Sequence, residues 1–262
     1  MLMVARAAFA GDADDEKDYQ KLLTEKSPAL VTVKFVLKVK MGQLGDNEAE
    51  TEVTAVMIDP KGLVLCSNTE TGGKLGRVGR GISAALTDIR VLIGEDTQGL
   101  EAELMARDSE LDLAWVKIKQ PGDKPFAFID FAKSARPRLG QRMLTVERMG
   151  KYFGRAARIG EMRVSAVTKK PRELIVPGGE SVSLGLPVFT ASGDIVGIGV
   201  AQSPASDDAG ESALDSESDT ADSSTSLILP ADEVVKATAR ARESAQEAGA
   251  DKSSDEKKKK AE

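Results

Sequence analysis

The chain is 262 residues long, 41% hydrophobic and only 4% aromatic, with a formal net charge of −6. That length can bury a sizeable core in one large domain or two small ones, and a net acidic chain lacks the basic footprint that nucleic-acid binding requires. Cys66 is the single cysteine, which excludes an intrachain disulfide and a cysteine-based zinc site, and the complete lack of histidine removes the commonest general base near neutral pH together with the commonest zinc ligand. No metal or cofactor site is therefore expected.

At the N-terminus, Ala8-Phe9-Ala10 before Gly11 has the small-x-small form of a signal-peptidase site, but the basic region is missing and Arg6 interrupts the apolar stretch. The stretch reads either as a truncated export signal, implying a periplasmic or extracellular protein whose true start lies upstream, or as a disordered tip. No apolar run reaches the roughly 20 residues of a membrane span. Residues 14–26 place acids first and lysines later, as a short helix favours, so 1–26 forms an N-terminal segment.

From residue 29 the period becomes two: Val31, Val33, Phe35, Leu37 and Val39 share one face of a half-buried strand. Residues 53–66 read as a hairpin around Asp59-Pro60-Lys61-Gly62, which suits a type I turn. Short strands are predicted at 89–93, 100–104, 113–118, 141–146, 162–167, 172–176, 186–190 and 194–201. Such a series, with few long helical patterns, points to an antiparallel barrel or sandwich. One long helix is predicted at 230–246, with Pro230 at its start and Asp232 and Glu233 in its first turn.

Three stretches look unlike core. The glycine-rich, basic 71–81 fits neither phosphate-loop nor dinucleotide glycine spacing and reads as a mobile loop. The segment 202–226 has seven acidic residues and no basic ones, so a disordered loop is expected there. The charged tail 248–262 is read as disordered, its lysines aiding solubility.

Four stretches, in order, resemble the protease domain of the HtrA/Deg family of trypsin-like serine proteases. "VTAVMIDPKGLVLCSNTE" (53–70) is similar to that family's histidine segment, and "AELMARDSELDLAWVKI" (102–118) to its aspartate segment. "SVSLGLPVFTASGDIVGIGV" (181–200) is similar to its serine segment, and "LILPADEVVK" (227–236) to its closing strand and helix. The resemblance implies an all-β fold: a double six-stranded antiparallel barrel over 27–247, closed by a C-terminal helix, with no PDZ domain after it.

Carried over by position, the family's histidine falls on Thr69 (after a matching Asn68), its aspartate on Asp112 and its serine on Leu184, anchored by Gly185 and Pro187. Val182 and Leu186 stand where the family has glycines, the first of them important to the oxyanion hole. Leu184 offers no hydroxyl, and the hydroxyl of Thr69 titrates too far from neutrality to shuttle a proton. Val182 and Leu186 replace residues whose backbone conformations bulky side chains resist. The resemblance therefore implies a pseudoprotease that binds a peptide or protein partner, for instance by strand addition in the old cleft. The alternative is a hydrolase using Ser183 as nucleophile with a non-histidine base such as lysine. Asp112 could equally be a polar residue serving the local backbone, and Trp115 is read as core.

Overall fold

The alternating stretch that opens at Leu30 forms β1 (Leu30–Lys40), and its neighbour β2 (Asp46–Asp59) pairs with it antiparallel from Leu30 opposite Val56 to Lys40 opposite Asp46. The turn after β2 behaves as its residues dictate. Gly62 N–H donates to the Asp59 carbonyl at 3.1 Å, Lys61 N–H donates to Asp59 Oδ1 at 2.6 Å, and Gly62 takes φ of +83°. The strands β3 (Leu63–Ser67), β4 (Ser83–Ile93), β5 (Leu100–Asp108) and β6 (Leu113–Ile118) complete a closed barrel in the order β1-β2-β3-β6-β5-β4. The computed structural model describes residues 10–40, 46–73, 83–179, 181–203 and 224–259. The signal-like stretch before Ala10, most of the glycine-rich segment 71–81 and nearly all of the acidic segment 202–226 lie outside the described residues.

A second closed barrel runs β10-β11-β12-β9-β8-β7, built from β7 (Arg142–Arg148), β8 (Ala157–Val167), β9 (Ile175–Gly179), β10 (Pro187–Thr190), β11 (Ile195–Gln202) and β12 (Thr225–Pro230). The double six-stranded antiparallel barrel with a C-terminal helix is thus the observed fold. Period-two alternation divides each strand between two apolar environments. Val31, Val33, Phe35, Val64 and Val116 fill the first barrel, while Met143, Val164, Val188 and Val196 fill the second. The opposite faces, with Leu30, Leu65, Trp115, Leu144, Phe189 and Ile198, meet in a third cluster between the barrels.

Both helices pack on that third cluster. From α1 (Ala10–Lys26), Leu22 is buried and Tyr19 and Leu23 pack beside it. From α2 (Ala231–Lys259), Ala231, Val234, Ala237 and Ala241 supply a stripe at helical spacing. Trp115 Nε1 donates to Thr238 Oγ1 at 3.1 Å and Arg242 pairs with Asp59 at 2.8 Å, fixing α2 to the first barrel.

Several strands run longer than expected, β4 beginning at Ser83, β5 ending at Asp108 and β8 beginning at Ala157, and two further departures have local causes. The helix does not end at Gln246 but continues to Lys259, through the stretch read as a disordered tail; its Ala, Glu and Lys residues are strong helix formers. Strand β9 starts at Ile175 rather than 172, because Thr168 closes a turn across those residues: its N–H donates to the Leu174 carbonyl and its Oγ1 accepts from Leu174 N–H.

The cluster between the barrels is the largest buried apolar cluster among the described residues, and Phe189, at 1% exposure, lies within it. Phe189→Ala should lower stability by about 3–5 kcal/mol, measured as a fall in the denaturant midpoint.

Candidate functional site

Asp112 lies just before β6 with φ of +59°, a left-handed conformation that aspartate tolerates better than most residues. The preceding turn sets it up, since Asp108 Oδ1 accepts N–H donors from Glu110 at 3.0 Å and Leu111 at 2.9 Å. The Asp112 side chain is 1% exposed and its carboxylate accepts four hydrogen bonds. Oδ1 takes Thr69 N–H and Thr69 Oγ1–H, both at 2.7 Å. Oδ2 takes Ser67 Oγ–H at 3.0 Å and Ala201 N–H at 2.8 Å. The first three donors belong to the first barrel's β3 and the turn after it, and the last to β11 of the second barrel. A buried carboxylate is tolerable only when donors replace its lost water in this way.

The turn holding Thr69 is braced from behind. Arg107 donates to Asn68 Oδ1 at 2.6 Å, to Thr71 Oγ1 at 2.8 Å and to the Thr71 carbonyl at 3.0 Å. Burial lowers the Arg107 pKa. Glu70 is an exposed residue, yet desolvation of its carboxyl, and secondarily the charge of Asp112, raise its pKa to about 7. Cys66 is fully enclosed one strand away; burial pushes its thiol to about 12, and Sγ contacts the Ala114 carbonyl at 3.5 Å. Such a thiol has no thiolate character at neutral pH.

The loop around Leu184 wedges between the barrels. Gly185 N–H donates to the Gly199 carbonyl at 2.8 Å, and Gly199 N–H returns a bond to the Leu186 carbonyl at 3.0 Å. Both glycines are required here. A Cβ on Gly199 would lie 2.2 Å from the Ser183 carbonyl oxygen, and one on Gly185, at φ of +71°, would lie 2.6 Å from Ser67 N. Val182 is buried in the core of the second barrel and Leu186 in the inter-barrel cluster, leaving Leu184 half-exposed between them. Ser183 does not face Asp112. Its hydroxyl donates to Glu147 Oε1 at 2.8 Å, which also accepts Thr145 Oγ1–H at 3.3 Å, while Glu147 Oε2 pairs with Arg158 at 2.5 Å.

The structure therefore joins Thr69 directly to Asp112. It brings the backbone next to Leu184 against Ser67, which shares the same carboxylate, and it turns Ser183 toward a separate carboxylate. Sequence reading missed Glu147 and Arg107. The signal for Glu147 was its phase: with Met143 and Thr145 it falls on the barrel-facing side of β7, an inward charge that demands partners. Among the described residues, no group of three or more His, Cys, Asp or Glu side chains converges as a metal site.

The profile of the trypsin-like peptidase domain matches residues 53–198, more than half of the chain. The chain belongs to this family. No curated protein sequence matches it. Among solved structures it is similar to Deg5 at 15% identity, with a TM-score of 0.56 over 85% of this chain and 92% of that one. It is also similar to the MamO protease domain from Magnetospirillum magneticum in its apo form, at 19% identity and a TM-score of 0.47 over 81% and 96% of the chains. A third is a variant of the HtrA-type protease AlgW with a tripeptide, at 18% identity and a TM-score of 0.48 over 83% and 61%. This trypsin-like domain thus has the double barrel and, at its inter-barrel position, an aspartate bonded to threonine.

Two outcomes follow. Asp112→Ala would strand four buried or half-buried donors and should cost at least about 3 kcal/mol, whereas Thr69→Val removes one hydroxyl donor to a carboxylate and should cost about 1.5–3 kcal/mol; chemical denaturation measures both. Glu70 binds its proton more tightly folded than unfolded, its pKa rising from 4.5 to about 7. Its share of stability is therefore present below about pH 4.5 and lost as pH rises through about 7. Unfolding curves across that window should show the decline in the wild type, and Glu70→Gln should remove that share of it.

Proposed function

We propose that this trypsin-like domain acts by binding extended polypeptide in the inter-barrel cleft and does not hydrolyse it. The observation that carries this reading is the Thr69–Asp112 pair. At the position corresponding to the family's base stands an alcohol that donates its proton to Asp112, in a chain with no histidine anywhere. Acyl transfer needs a group there that accepts a proton from the nucleophile and returns it to the leaving amine, and an aliphatic hydroxyl does neither near neutral pH. Leu184, at the position corresponding to the nucleophile, supplies an apolar, half-exposed surface where an enzyme would present a hydroxyl.

Binding needs none of these groups. An extended segment can add to exposed backbone beside the cleft, with side-chain pockets giving preference. The signal-like Ala8-Phe9-Ala10 supports a periplasmic or extracellular setting, where unfolded chains would be natural ligands.

The alternative, a hydrolase with Ser183 as nucleophile, draws on the contact between that hydroxyl and Glu147. Glu147 is a poor base for it, because the carboxylate is already held by Arg158 and Thr145. The two readings part in one pair of assays. With reduced, fluorescein-labelled casein as probe, binding should be saturable while no labelled fragments accumulate, and Ser183→Ala should change neither result. Leu184→Asp should weaken binding about tenfold or more, the equivalent of one buried aliphatic contact. Casein cleavage that disappears in Ser183→Ala would establish the hydrolase instead.

A further inference from the structure

One seam of the first barrel is closed by a short ladder. β4 and β5 pair at Arg90 opposite Glu101 and at Val91 opposite Leu100, whereas β4 stays with β1 back to Ser83 and β5 stays with β6 on to Asp108. The two strands part at Asp88, which takes φ of +52° where β1 and β4 lose register between Lys34 and Val36, as at a bulge. A cleft of about 220 Å³ opens at that point, with Asp88 and Arg90 on one side and Glu101 on the other. Beyond it, no strand lies beside the outer edge of β4 at 83–87 among the described residues. The N–H and C=O groups on that side form an unused ladder. Thr87 Oγ1 is buried there without a hydrogen-bond partner among the described residues, a state that costs free energy until one is supplied.

The arm formed by β2, β1 and β4 has a second open edge, and the two are built differently. β2 meets β3 from Val56 to Asp59, so the outer side of 46–55 is open as well. That edge carries Asp46, Glu48, Glu50 and Glu52 at alternate positions, the kind of charge with which proteins blunt an open strand. Lys38 and Lys34 of β1 hold Glu48 and Glu50 in place at 2.8 and 2.9 Å. The β4 edge has no such protection. Residues 83–87 read Ser-Ala-Ala-Leu-Thr, without a charge or a proline, and Ser83 and Ala85 are exposed.

The chemistry of this edge specifies its ligand. A row of alternating main-chain donors and acceptors is complemented by another main chain in extended form. On one face, side chains of an added strand would lie beside Ala84 and Leu86, and on the other beside Ser83, Ala85 and Thr87. The segment that fits is therefore uncharged and alternates aliphatic with small polar residues, for which β-branched side chains suit a strand best.

We propose that the outer edge of β4 at 83–87 binds an extended, uncharged polypeptide segment by strand addition. Among the described residues, β4 supplies none to the apolar cluster between the barrels. The edge is thus a site apart from the inter-barrel cleft and stands whether or not that cleft binds polypeptide.

The probe is a soluble, uncharged peptide of alternating threonine and valine, added to the full chain and followed by fluorescence anisotropy and backbone hydrogen exchange. Binding should saturate with a Kd of about 0.1–1 mM, the strength of a few net main-chain hydrogen bonds. At three times Kd, exchange of the outward amides at 83–87 should slow about fourfold, while 46–52 stays unchanged. The same peptide methylated at its backbone nitrogens should show no saturation over that range. Ala85→Lys, at an exposed edge position, should weaken binding about fivefold, the equivalent of one main-chain hydrogen bond, and Leu184→Asp should leave it unchanged. Exchange at 83–87 that the peptide does not slow, saturable binding of the methylated peptide, undiminished binding by Ala85→Lys, or binding lost in Leu184→Asp overturns the proposal. So does self-association of the wild type that disappears in Ala85→Lys, which would assign the edge to a second copy of the chain.

Discussion

The carboxylate of Asp112 is the constraint on which the cleft depends. Its four donors come from β3, from the turn that follows β3, and from β11 of the other barrel. One side chain thus fixes the relative position of three segments from the two barrels. The left-handed backbone at Asp112 is a local cost that this arrangement offsets, since a residue in the ordinary helical or extended region would aim its oxygens elsewhere. Removing the carboxylate would leave these donors without their acceptor. An aspartate at this position is therefore demanded by folding alone, whatever chemistry does or does not take place beside it.

The loop around Leu184 is held by different physics. Val182 is buried with the apolar filling of the second barrel, Leu186 with the cluster between barrels, and Ser183 with the carboxylate of Glu147. Three anchors within five residues, each with a separate partner, leave the loop little freedom to rearrange. The two close glycine approaches at Gly185 and Gly199 complete the fit, because the backbone of each strand lies where a side chain would otherwise be. The result is a tightly packed wedge in which Leu184 stays half-exposed.

How much of this was legible follows from which interactions are local. The strands were readable because alternation of apolar residues is written along each one, as in Val31, Val33 and Phe35. The hairpin at Asp59–Gly62 was readable because its turn chemistry lies within four residues. The pairing of Thr69 with Asp112 came from the resemblance, and the structure gives it atoms. What could not be read was the partnership of residues distant in sequence. Ser183 and Glu147 are 36 positions apart, and nothing local to "VSLG" says that its hydroxyl turns toward the second barrel's own carboxylate. The true end of α2 was missed for the opposite reason. Its last residues have intrinsic helix propensity without an apolar stripe, so composition suggested a solvated tail where the backbone stays helical.

Cys66, Thr69 and Ser183 each carry a group of nucleophilic type near the cleft segments, and each is restrained in its own way. Cys66 is buried with its thiol pushed to about 12, so the thiolate is scarce and unreachable. Thr69 and Ser183 each donate to a carboxylate. A carboxylate orients such a proton but is too weak a base to remove it, because several pKa units separate a carboxylic acid from an aliphatic alcohol. In a triad the imidazole bridges that gap, with the aspartate acting only through it. In this chain, which has no histidine, the Asp112 carboxylate instead accepts directly from Thr69 and Ser67 of the first barrel and from Ala201 of the second, so its hydrogen bonds hold the two barrels together.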